Sequence, residues 1–224
     1  MAFRGRAMTY FAWIVLAFLA LGQTSADVAS KTGPRGQVLG VHVGPPPDLH
    51  GTRYVAIGDS ISAGKYAVSA DRTFPARVAQ QVGASLVLIA HSGARAAWAL
   101  PYLAQAQAAH PALVTIELGT NDVGFRTPID QFAQQYESIV SAVSQPGTRV
   151  LCIGSWLPGP PIDAVIKSTC AAHGGTFVSL DGFYAVNAFH AGDGHPTYLG
   201  PSDWFHPGDE GHAAIAAAVL AALS

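Results

Sequence analysis

The chain has 224 residues, a length that fits one domain or at most two very small ones. Half of its residues (50%) are hydrophobic and 12% are charged, a composition that excludes an intrinsically disordered chain. The formal net charge of −2 and the lack of any run of like charge argue against nucleic acid as a partner.

The N-terminal segment is typical of a secretory signal peptide. Two arginines precede an apolar run over residues 11–21, and a small-residue triplet that ends at Ala26 follows it. A bilayer span needs ~20 residues, whereas this run fits the ~7–15 residues of a secretory hydrophobic region. We therefore expect a signal peptide over residues 1–26, a secreted or otherwise extracytoplasmic protein, and no stable membrane span after cleavage. An uncleaved membrane anchor is the alternative, because residues 7–26 carry no charge.

Residues 27–50 are rich in glycine and proline, including three consecutive prolines at 45–47. Such a density of turn-forming residues predicts an extended lead-in rather than a packed domain. Only residues 38–43 alternate in a way that suits an edge strand. We expect the folded domain to occupy residues 51–224 and to be a monomer.

Beyond residue 53, short apolar runs alternate with longer amphipathic stretches, which is typical of a parallel sheet covered by helices on both faces. Strands are predicted over residues 54–57, 86–90, 113–118, 150–154 and 176–180. Helices are predicted over residues 74–82, 94–110, 128–144, 162–173 and 209–220. Pro101 is expected to break or restart the second of these helices. The sequence thus predicts an α/β fold with a mostly parallel five-stranded sheet.

Cys152 and Cys170 are the only cysteines, and they form no Cys-x-x-Cys pair that would indicate zinc or thiol redox chemistry. In an oxidising compartment an even pair favours a disulfide, which would stabilise the fold by about 3 kcal/mol through the entropy of the unfolded chain. Two buried free thiols are the alternative, because the sequence does not fix the distance between their Cα atoms.

The first predicted strand runs directly into Gly58-Asp59-Ser60. Ligands of an open parallel sheet collect outside the carboxyl ends of its strands, so Ser60 is a candidate nucleophile. A serine hydroxyl needs a base within hydrogen-bond reach, and the base needs a third group to orient it. Asp203 and His206, three residues apart near the C-terminus, can supply both within one turn.

Acyl transfer also needs donors aimed at the developing oxyanion. Gly93 follows the second predicted strand and can present its backbone N–H without a side chain in the way. Asn121 follows the third strand and can present its side-chain amide. The backbone N–H of Ser60 is the third candidate donor.

With these residues in order, the chain resembles the SGNH/GDSL hydrolase family. The match lies in Gly58-Asp59-Ser60, Gly93, Gly119-Thr120-Asn121-Asp122, and Asp203 with His206. The residue after Ser60 is Ile61, where the family name has leucine. The resemblance implies a flavodoxin-like three-layer α/β/α sandwich and a serine esterase or lipase that needs no metal or cofactor. It implies a small-molecule, lipid or carbohydrate ester as substrate.

Two alternatives from other classes stay open at this point. One is a non-catalytic or acyltransferase-like domain of the same fold that binds acylated glycans. The other is a flavodoxin-like phosphate binder, although the glycines around Ser60 do not have the spacing of a phosphate loop. His195 and His212 show no recognised metal-ligand spacing, and we expect no metal site.

Four aromatic residues can line a pocket or belong to the core, and the sequence does not distinguish these roles. They are Trp98, Phe125, Trp156 and Trp204.

If His206 is the catalytic base, the activity depends on pH. Activity is expected to rise as His206 loses its proton, near its unperturbed pKa of ~6.5 or somewhat higher beside Asp203.

Overall fold

The computed structural model describes residues 44–224, which are built around a sheet of five parallel strands. The strands are β1 Arg53–Gly58, β2 Ser85–Ala90, β3 Leu113–Glu117, β4 Arg149–Ile153 and β5 Thr176–Val178. Their order across the sheet is β2-β1-β3-β4-β5, and each neighbouring pair is parallel. All five predicted strands are present, although β5 ends before the predicted residue 180.

Seven α-helices accompany the sheet in the described part of the chain. They are α1 Phe74–Val82, α2 Ala96–Ala99, α3 Leu103–Ala108, α4 Thr120–Gly124, α5 Ile129–Val143, α6 Pro160–Ala172 and α7 Asp209–Ala221. Buried side chains of α1 and α7 pack against one face of the sheet, and those of α2, α3, α5 and α6 pack against the other. The predicted three-layer α/β/α sandwich is therefore confirmed.

The predicted helix over residues 94–110 is not continuous. The chain forms α2, then a 3-10 stretch over Leu100–Tyr102 that contains Pro101, and then α3. Proline has no N–H to donate, so the break at this position is the expected one. The short helix α4, which begins directly after Gly119, has too few residues to show a helical period and was not predicted.

The central strands are buried on both faces, which is why they are almost continuously apolar in sequence. In β1, Tyr54 and Ala56 belong to the cluster under α1 and α7, whereas Val55 and Ile57 belong to the opposite cluster. This alternation fixes the register of β1 and with it the position of the residues that follow Gly58.

Cys152 in β4 and Cys170 in α6 form a disulfide, with their Cα atoms 6.1 Å apart and a sequence separation of 18. Both residues are fully buried. The disulfide links helix α6 covalently to strand β4 of the sheet.

The expected signal peptide over residues 1–26 and the edge strand over residues 38–43 lie outside the described residues. Residues 44–50 have no helix or strand, and the Leu49 N–H donates to the Val82 carbonyl at the end of α1 (2.7 Å). In the described part of the chain, no helix combines the length and hydrophobicity of a membrane crossing.

Between β5 and α7 the chain forms a long connection that contains a small hairpin of β6 Pro196–Thr197 and β7 Gly200–Pro201. The tip of the hairpin contacts the segment after β1, because the Tyr198 hydroxyl donates to the Ala63 carbonyl (3.0 Å). Strands of two residues are too short to leave a periodic signal in sequence, so the hairpin was not predicted.

Candidate active site

Strand β1 places Ser60 at the carboxyl edge of the sheet, beside β3, where the order of the strands reverses. A Cβ at Gly58 would collide with the Ser62 side chain and the Glu117 backbone carbonyl, so only glycine fits there. The chain then turns sharply, and the Lys65 N–H donates to the Ser60 carbonyl (2.9 Å). The turn holds the serine hydroxyl at the rim of the sheet.

Ser60, His206 and Asp203 form a continuous hydrogen-bonded row. The Ser60 Oγ lies 2.9 Å from the His206 Nε2. The His206 Nδ1 lies 2.8 Å and 3.0 Å from the two carboxylate oxygens of Asp203. The backbone N–H of His206 also donates to Asp203 (3.0 Å), so the carboxylate and the imidazole are held within one turn. The arrangement lets the ring accept the serine proton on one nitrogen while the other nitrogen donates to the carboxylate.

Neighbouring segments fix the loop that carries Asp203 and His206. The Ala191 N–H donates to the His206 carbonyl (2.9 Å), and the Tyr66 N–H donates to the Pro207 carbonyl (2.9 Å). Two further bonds involve side chains. The indole Nε1 of the buried Trp156 donates to the Phe205 carbonyl (2.7 Å), and the Asp193 carboxylate accepts from the Trp204 N–H (2.7 Å). These bonds limit how far the imidazole can move from the serine.

Burial lowers the pKa of His206, because a charged imidazolium is poorly solvated there. The hydrogen bond and the charge of Asp203 raise this pKa, the nearby Lys65 ammonium lowers it, and the net pKa lies below 6.5. The expectation of a pKa at or above the unperturbed value was therefore wrong in direction. Burial was the influence that the sequence could not reveal.

Asp203 remains a carboxylate. Burial alone would raise its pKa, but the hydrogen bonds from the His206 side chain and backbone lower it, and the net pKa lies below the ordinary value. The side chain of Asp203 is 44% exposed, whereas that of His206 is 13% exposed. A partly solvated anion can therefore support an imidazole that is largely shielded from water.

Two backbone N–H groups, those of Ser60 and Gly93, have no acceptor in the described part of the chain. Gly93 has a φ of +80°, a conformation that favours glycine, and a Cβ there would meet no atom within 4 Å. Both residues thus meet the chemical requirement for oxyanion donors.

The sequence predicts that Asn121 presents a free side-chain amide. In the structure this residue lies at the start of α4, and its amide already has acceptors. Its amide nitrogen donates to the Asp59 carboxylate (2.8 Å) and to the Ala94 backbone carbonyl (3.1 Å). An amide has two protons to donate, so both are engaged in this arrangement. The side chain nevertheless lies between residues 59–65, the loop that carries Ser60 and is called the nucleophile loop below, and the segment that carries Gly93.

Sequence reasoning missed four residues around the site. The ring of Tyr66 meets the His206 ring edge-on, with 5.2 Å between centroids, and the Lys65 ammonium lies 5.2 Å from the Tyr66 ring centroid. Nothing in the sequence distinguishes these two. Asp59 and Glu117 are fully buried carboxyl groups beneath the nucleophile loop. Glu117 did leave a signal, because it is an acid within an otherwise apolar strand.

The four aromatic candidates divide into two groups. Trp156 is fully buried, and Trp98 is half-buried and stacks between His91 and Tyr102 (5.4 Å and 4.5 Å between ring centroids). Phe125 and Trp204 are 67% and 47% exposed. Only the second group exposes a large part of its aromatic surface, and one face of the Trp204 ring stacks on His190 (4.7 Å between ring centroids).

His212 is fully buried in α7, where its Nδ1 accepts from the Phe74 N–H (3.2 Å) and its Nε2 donates to the Lys65 carbonyl (3.3 Å). The backbone N–H of His195 donates to the Ser202 hydroxyl (3.0 Å). Across residues 44–224, no three His, Cys, Asp or Glu side chains lie close enough to hold a metal ion.

Comparison with known families gives one match. The model of the GDSL-like Lipase/Acylhydrolase family matches residues 56–214, a range that includes every candidate catalytic and oxyanion residue. A comparison with curated proteins finds no match.

Several solved structures share the fold. TesA is 24% identical, with a TM-score of 0.58 over 75% of this chain and 96% of that one. An extracellular lipase from Streptomyces rimosus is 23% identical, with a TM-score of 0.58 over 76% of this chain and 99% of that one. A two-domain esterase, CEX, active on acetylated mannans, is 18% identical, with a TM-score of 0.57 over 75% of this chain and 47% of that one.

Proposed function

The chain belongs to the GDSL-like lipase/acylhydrolase family, and from this premise we propose that it hydrolyses carboxylic esters through an acyl-enzyme formed on Ser60. Family membership makes it a carboxylic ester hydrolase; the roles of its residues follow from geometry and chemistry. The observation that carries the proposal is the distance of 2.9 Å between the Ser60 Oγ and the His206 Nε2. A serine hydroxyl within reach of an oriented, neutral imidazole is the arrangement that nucleophilic catalysis requires.

In the first step the Ser60 Oγ attacks the ester carbonyl carbon while its proton passes to the His206 Nε2. Asp203 holds the ring in the tautomer that accepts this proton and stabilises the imidazolium that forms. The carbonyl oxygen becomes an oxyanion, which accepts hydrogen bonds from the backbone N–H groups of Ser60 and Gly93. Each such donor contributes about 3 kcal/mol to the transition state in a preorganised site.

The tetrahedral intermediate then collapses. The bond between the carbonyl carbon and the alkoxy oxygen breaks, and His206 returns its proton to the leaving alcohol. Water next attacks the acyl-enzyme while His206 accepts one of its protons. The second collapse breaks the bond to the Ser60 Oγ, which regains the proton, and releases the carboxylic acid.

The preferred substrate in this proposal carries a short acyl group on a small or sugar-like alcohol. Ser60 is only 6% exposed, and a short acyl group reaches a largely covered hydroxyl more readily than a long one. Phe125, which follows α4, and Trp204, within the loop that carries Asp203 and His206, expose flat aromatic surface on which a sugar ring can rest. An esterase of the same fold is active on acetylated mannans. Long-chain lipid esters are the competing class.

We place this reaction outside the cytoplasm. The proposal is supported by the signal-peptide pattern over residues 1–26, by the disulfide between Cys152 and Cys170, and by an extracellular lipase among the proteins of the same fold. N-terminal sequencing of the protein exported from its host is expected to begin at Asp27. A sequence that begins at residue 1 or 2 would contradict cleavage.

Replacement of Ser60 by alanine tests the proposed nucleophile. Hydrolysis of p-nitrophenyl acetate is expected to fall to the uncatalysed rate while the circular dichroism spectrum is unchanged. Ser92→Ala is the matched control, because Ser92 is an exposed serine after β2 with no part in the row. Ester cleavage retained in Ser60→Ala, or lost equally in Ser92→Ala, would contradict the assignment.

A chain-length series tests the substrate class. p-Nitrophenyl esters from acetate to palmitate are compared by kcat/KM, alongside acetate release from an acetylated polysaccharide. The proposal expects the highest kcat/KM with the shortest acyl groups and measurable release of acetate from the polysaccharide. A maximum at long chains would instead assign the site to lipid esters.

A further inference from the structure

Two carboxyl groups lie buried beneath the nucleophile loop, and the catalytic row uses neither. Asp59 is 0% exposed and Glu117 is 1% exposed. Among residues 44–224, no lysine, arginine or histidine forms a salt bridge with either group. Burial of carboxyl groups without a cation is costly, and such groups concentrate at functional sites. Their hydrogen bonds indicate what the pair does.

Glu117 supports the loop through one of its two oxygens. Its Oε2 accepts from the Ser62 hydroxyl (2.8 Å), the Ser62 N–H (3.1 Å) and the Asp59 N–H (3.4 Å). Its Oε1 is buried and has no partner among the described residues. Burial, together with the charge of Asp59, raises the pKa of Glu117 well above its ordinary value. Glu117 is therefore the member of the pair that holds its proton more tightly, and Asp59 is the one that ionises more readily.

Asp59 joins the nucleophile loop to helix α4. Its Oδ1 accepts from the Ile61 N–H (2.8 Å), and its Oδ2 accepts from the Asn121 amide (2.8 Å). The second amide proton of Asn121 is donated to the Ala94 carbonyl (3.1 Å), directly after Gly93. Asp59 thus determines the direction in which the amide presents its second proton.

We propose that Asp59 is a positioning residue of the oxyanion site, whose carboxylate fixes the Asn121 amide so that its second proton is available beside Gly93. The inference rests on the proposed ester hydrolysis. The bond to Asp59 is charge-assisted, whereas the bond to the Ala94 carbonyl is longer and goes to a neutral acceptor. An oxyanion that forms next to Gly93 is a stronger acceptor than the neutral Ala94 carbonyl. The second amide proton of Asn121 therefore leaves that carbonyl and hydrogen-bonds to the oxyanion. The bond to Asp59 meanwhile keeps the amide in place.

Burial of the Asp59 carboxylate lowers the stability of the fold, and this supports a functional role for Asp59. Burial raises the pKa of Asp59 to about 7, although hydrogen bonds with the Ile61 backbone and with the side chains of Glu117, Asn121 and Ser60 lower it in part. Ionised Asp59 therefore destabilises the folded state at neutral pH relative to a neutral side chain of the same shape.

The test is a double-mutant cycle of Asp59→Asn and Asn121→Ala, with kcat and KM measured on p-nitrophenyl acetate. In Asp59→Asn the introduced amide has a single acceptor oxygen, so at least one of the two hydrogen bonds is lost, and any bond kept to Asn121 is no longer charge-assisted. Each single variant is expected to lower kcat by at least about 10-fold with little change in KM, as the loss of an oxyanion donor does. In the Asn121→Ala background, Asp59→Asn is expected to lower kcat further by less than about 3-fold.

Thermal unfolding separates positioning from a structural role. The melting temperature of Asp59→Asn is expected to equal or exceed that of the wild type while kcat falls. Asp163→Asn is the matched control, because the Asp163 carboxylate also accepts two bonds from a loop at a strand end, from the N–H and hydroxyl of Ser155. Its kcat is expected to stay at the wild-type value.

Three outcomes would overturn the inference while leaving ester hydrolysis intact. They are wild-type kcat in Asp59→Asn, wild-type kcat in Asn121→Ala, and fully additive losses in the double variant. An inactive wild type overturns both proposals. If Asp59→Asn does not fold, Asp59→Glu replaces it in the cycle, since the longer side chain keeps the charge and displaces the acceptor; wild-type kcat there overturns the inference equally.

Discussion

Burial and two charged neighbours compete to set the pKa of His206. Burial of the ring and the nearby Lys65 ammonium lower the pKa, and the Asp203 carboxylate raises it. The balance favours the neutral ring, which is the form that accepts the Ser60 proton. At a given pH the His206 ring is therefore neutral, and able to accept a proton, more often than a free histidine is.

The pH profile of kcat/KM follows from this balance. Between about pH 4.5 and 8, kcat/KM for p-nitrophenyl acetate is expected to rise as His206 loses its proton, with a midpoint below the unperturbed value of ~6.5. In Lys65→Met the ammonium is gone, so the midpoint is expected to move upward. A midpoint above that of free histidine, or an identical midpoint in the variant, would contradict the electrostatic account.

The sequence predicted which residues form the row at the edge of the sheet but not the state of Asn121. Ser60 follows a strand, and Asp203 and His206 are close in sequence, so local patterns located them. The hydrogen bonds of Asn121 depend on where two other segments bring Asp59 and Ala94, and no local pattern contains that information.

At the scale of elements, predictions were accurate where a helix or strand had enough residues to show its period. The sheet strands β1 to β4 and the helices α1, α5, α6 and α7 agree closely with the predicted ranges. Helix α4 and the hairpin of β6 and β7 were missed because they are short. The hairpin's contact with Ala63 joins distant parts of the chain, and no local pattern indicates it.

Removal of the disulfide tests how helix α6 is fastened to the sheet. Cys152→Ala/Cys170→Ala is expected to lower the free energy of unfolding by about 3 kcal/mol, measured in urea, because the unfolded chain gains freedom. Reduction of the wild type with dithiothreitol is expected to produce a comparable loss and to leave the variant unaffected. Equal stability of the variant and the oxidised wild type would contradict the prediction.

His212 ties α7 to the start of α1 and makes the stability of the chain depend on pH. Burial lowers its pKa to about 4, so between about pH 4 and 6.5 the unfolded state binds more protons than the folded state. His212 therefore contributes full stability above its unperturbed pKa of ~6.5, and up to about 3 kcal/mol is lost as the pH falls toward about 4.

The comparison variant is His212→Asn, which keeps an acceptor and a donor but does not titrate. Urea unfolding of both proteins from about pH 4 to 7 isolates the contribution of His212 from that of other groups. The wild type is expected to lose more stability than the variant as the pH falls. Parallel curves for the two proteins would contradict a neutral, buried His212.

For the whole molecule, the strand order β2-β1-β3-β4-β5 brings together segments that are far apart in sequence. Ser60 follows β1, Gly93 follows β2, Asn121 follows β3, and His206 precedes α7. The alternation of apolar runs predicted the layers of this fold, and the carboxyl edge of the sheet predicted where the candidate site lies. The path of the chain between β5 and α7 could not be predicted, because its hydrogen bonds join residues without a periodic pattern.

Every step of the proposed mechanism depends on Ser60 as the nucleophile. Reaction of the protein with a fluorophosphonate probe, followed by proteolysis and mass spectrometry, identifies the reactive serine. One adduct per chain is expected on the peptide that contains Ser60, with esterase activity lost in proportion to labelling. An adduct on another serine that accounts for the lost activity, or full labelling of Ser60 without loss of activity, would contradict this role of Ser60.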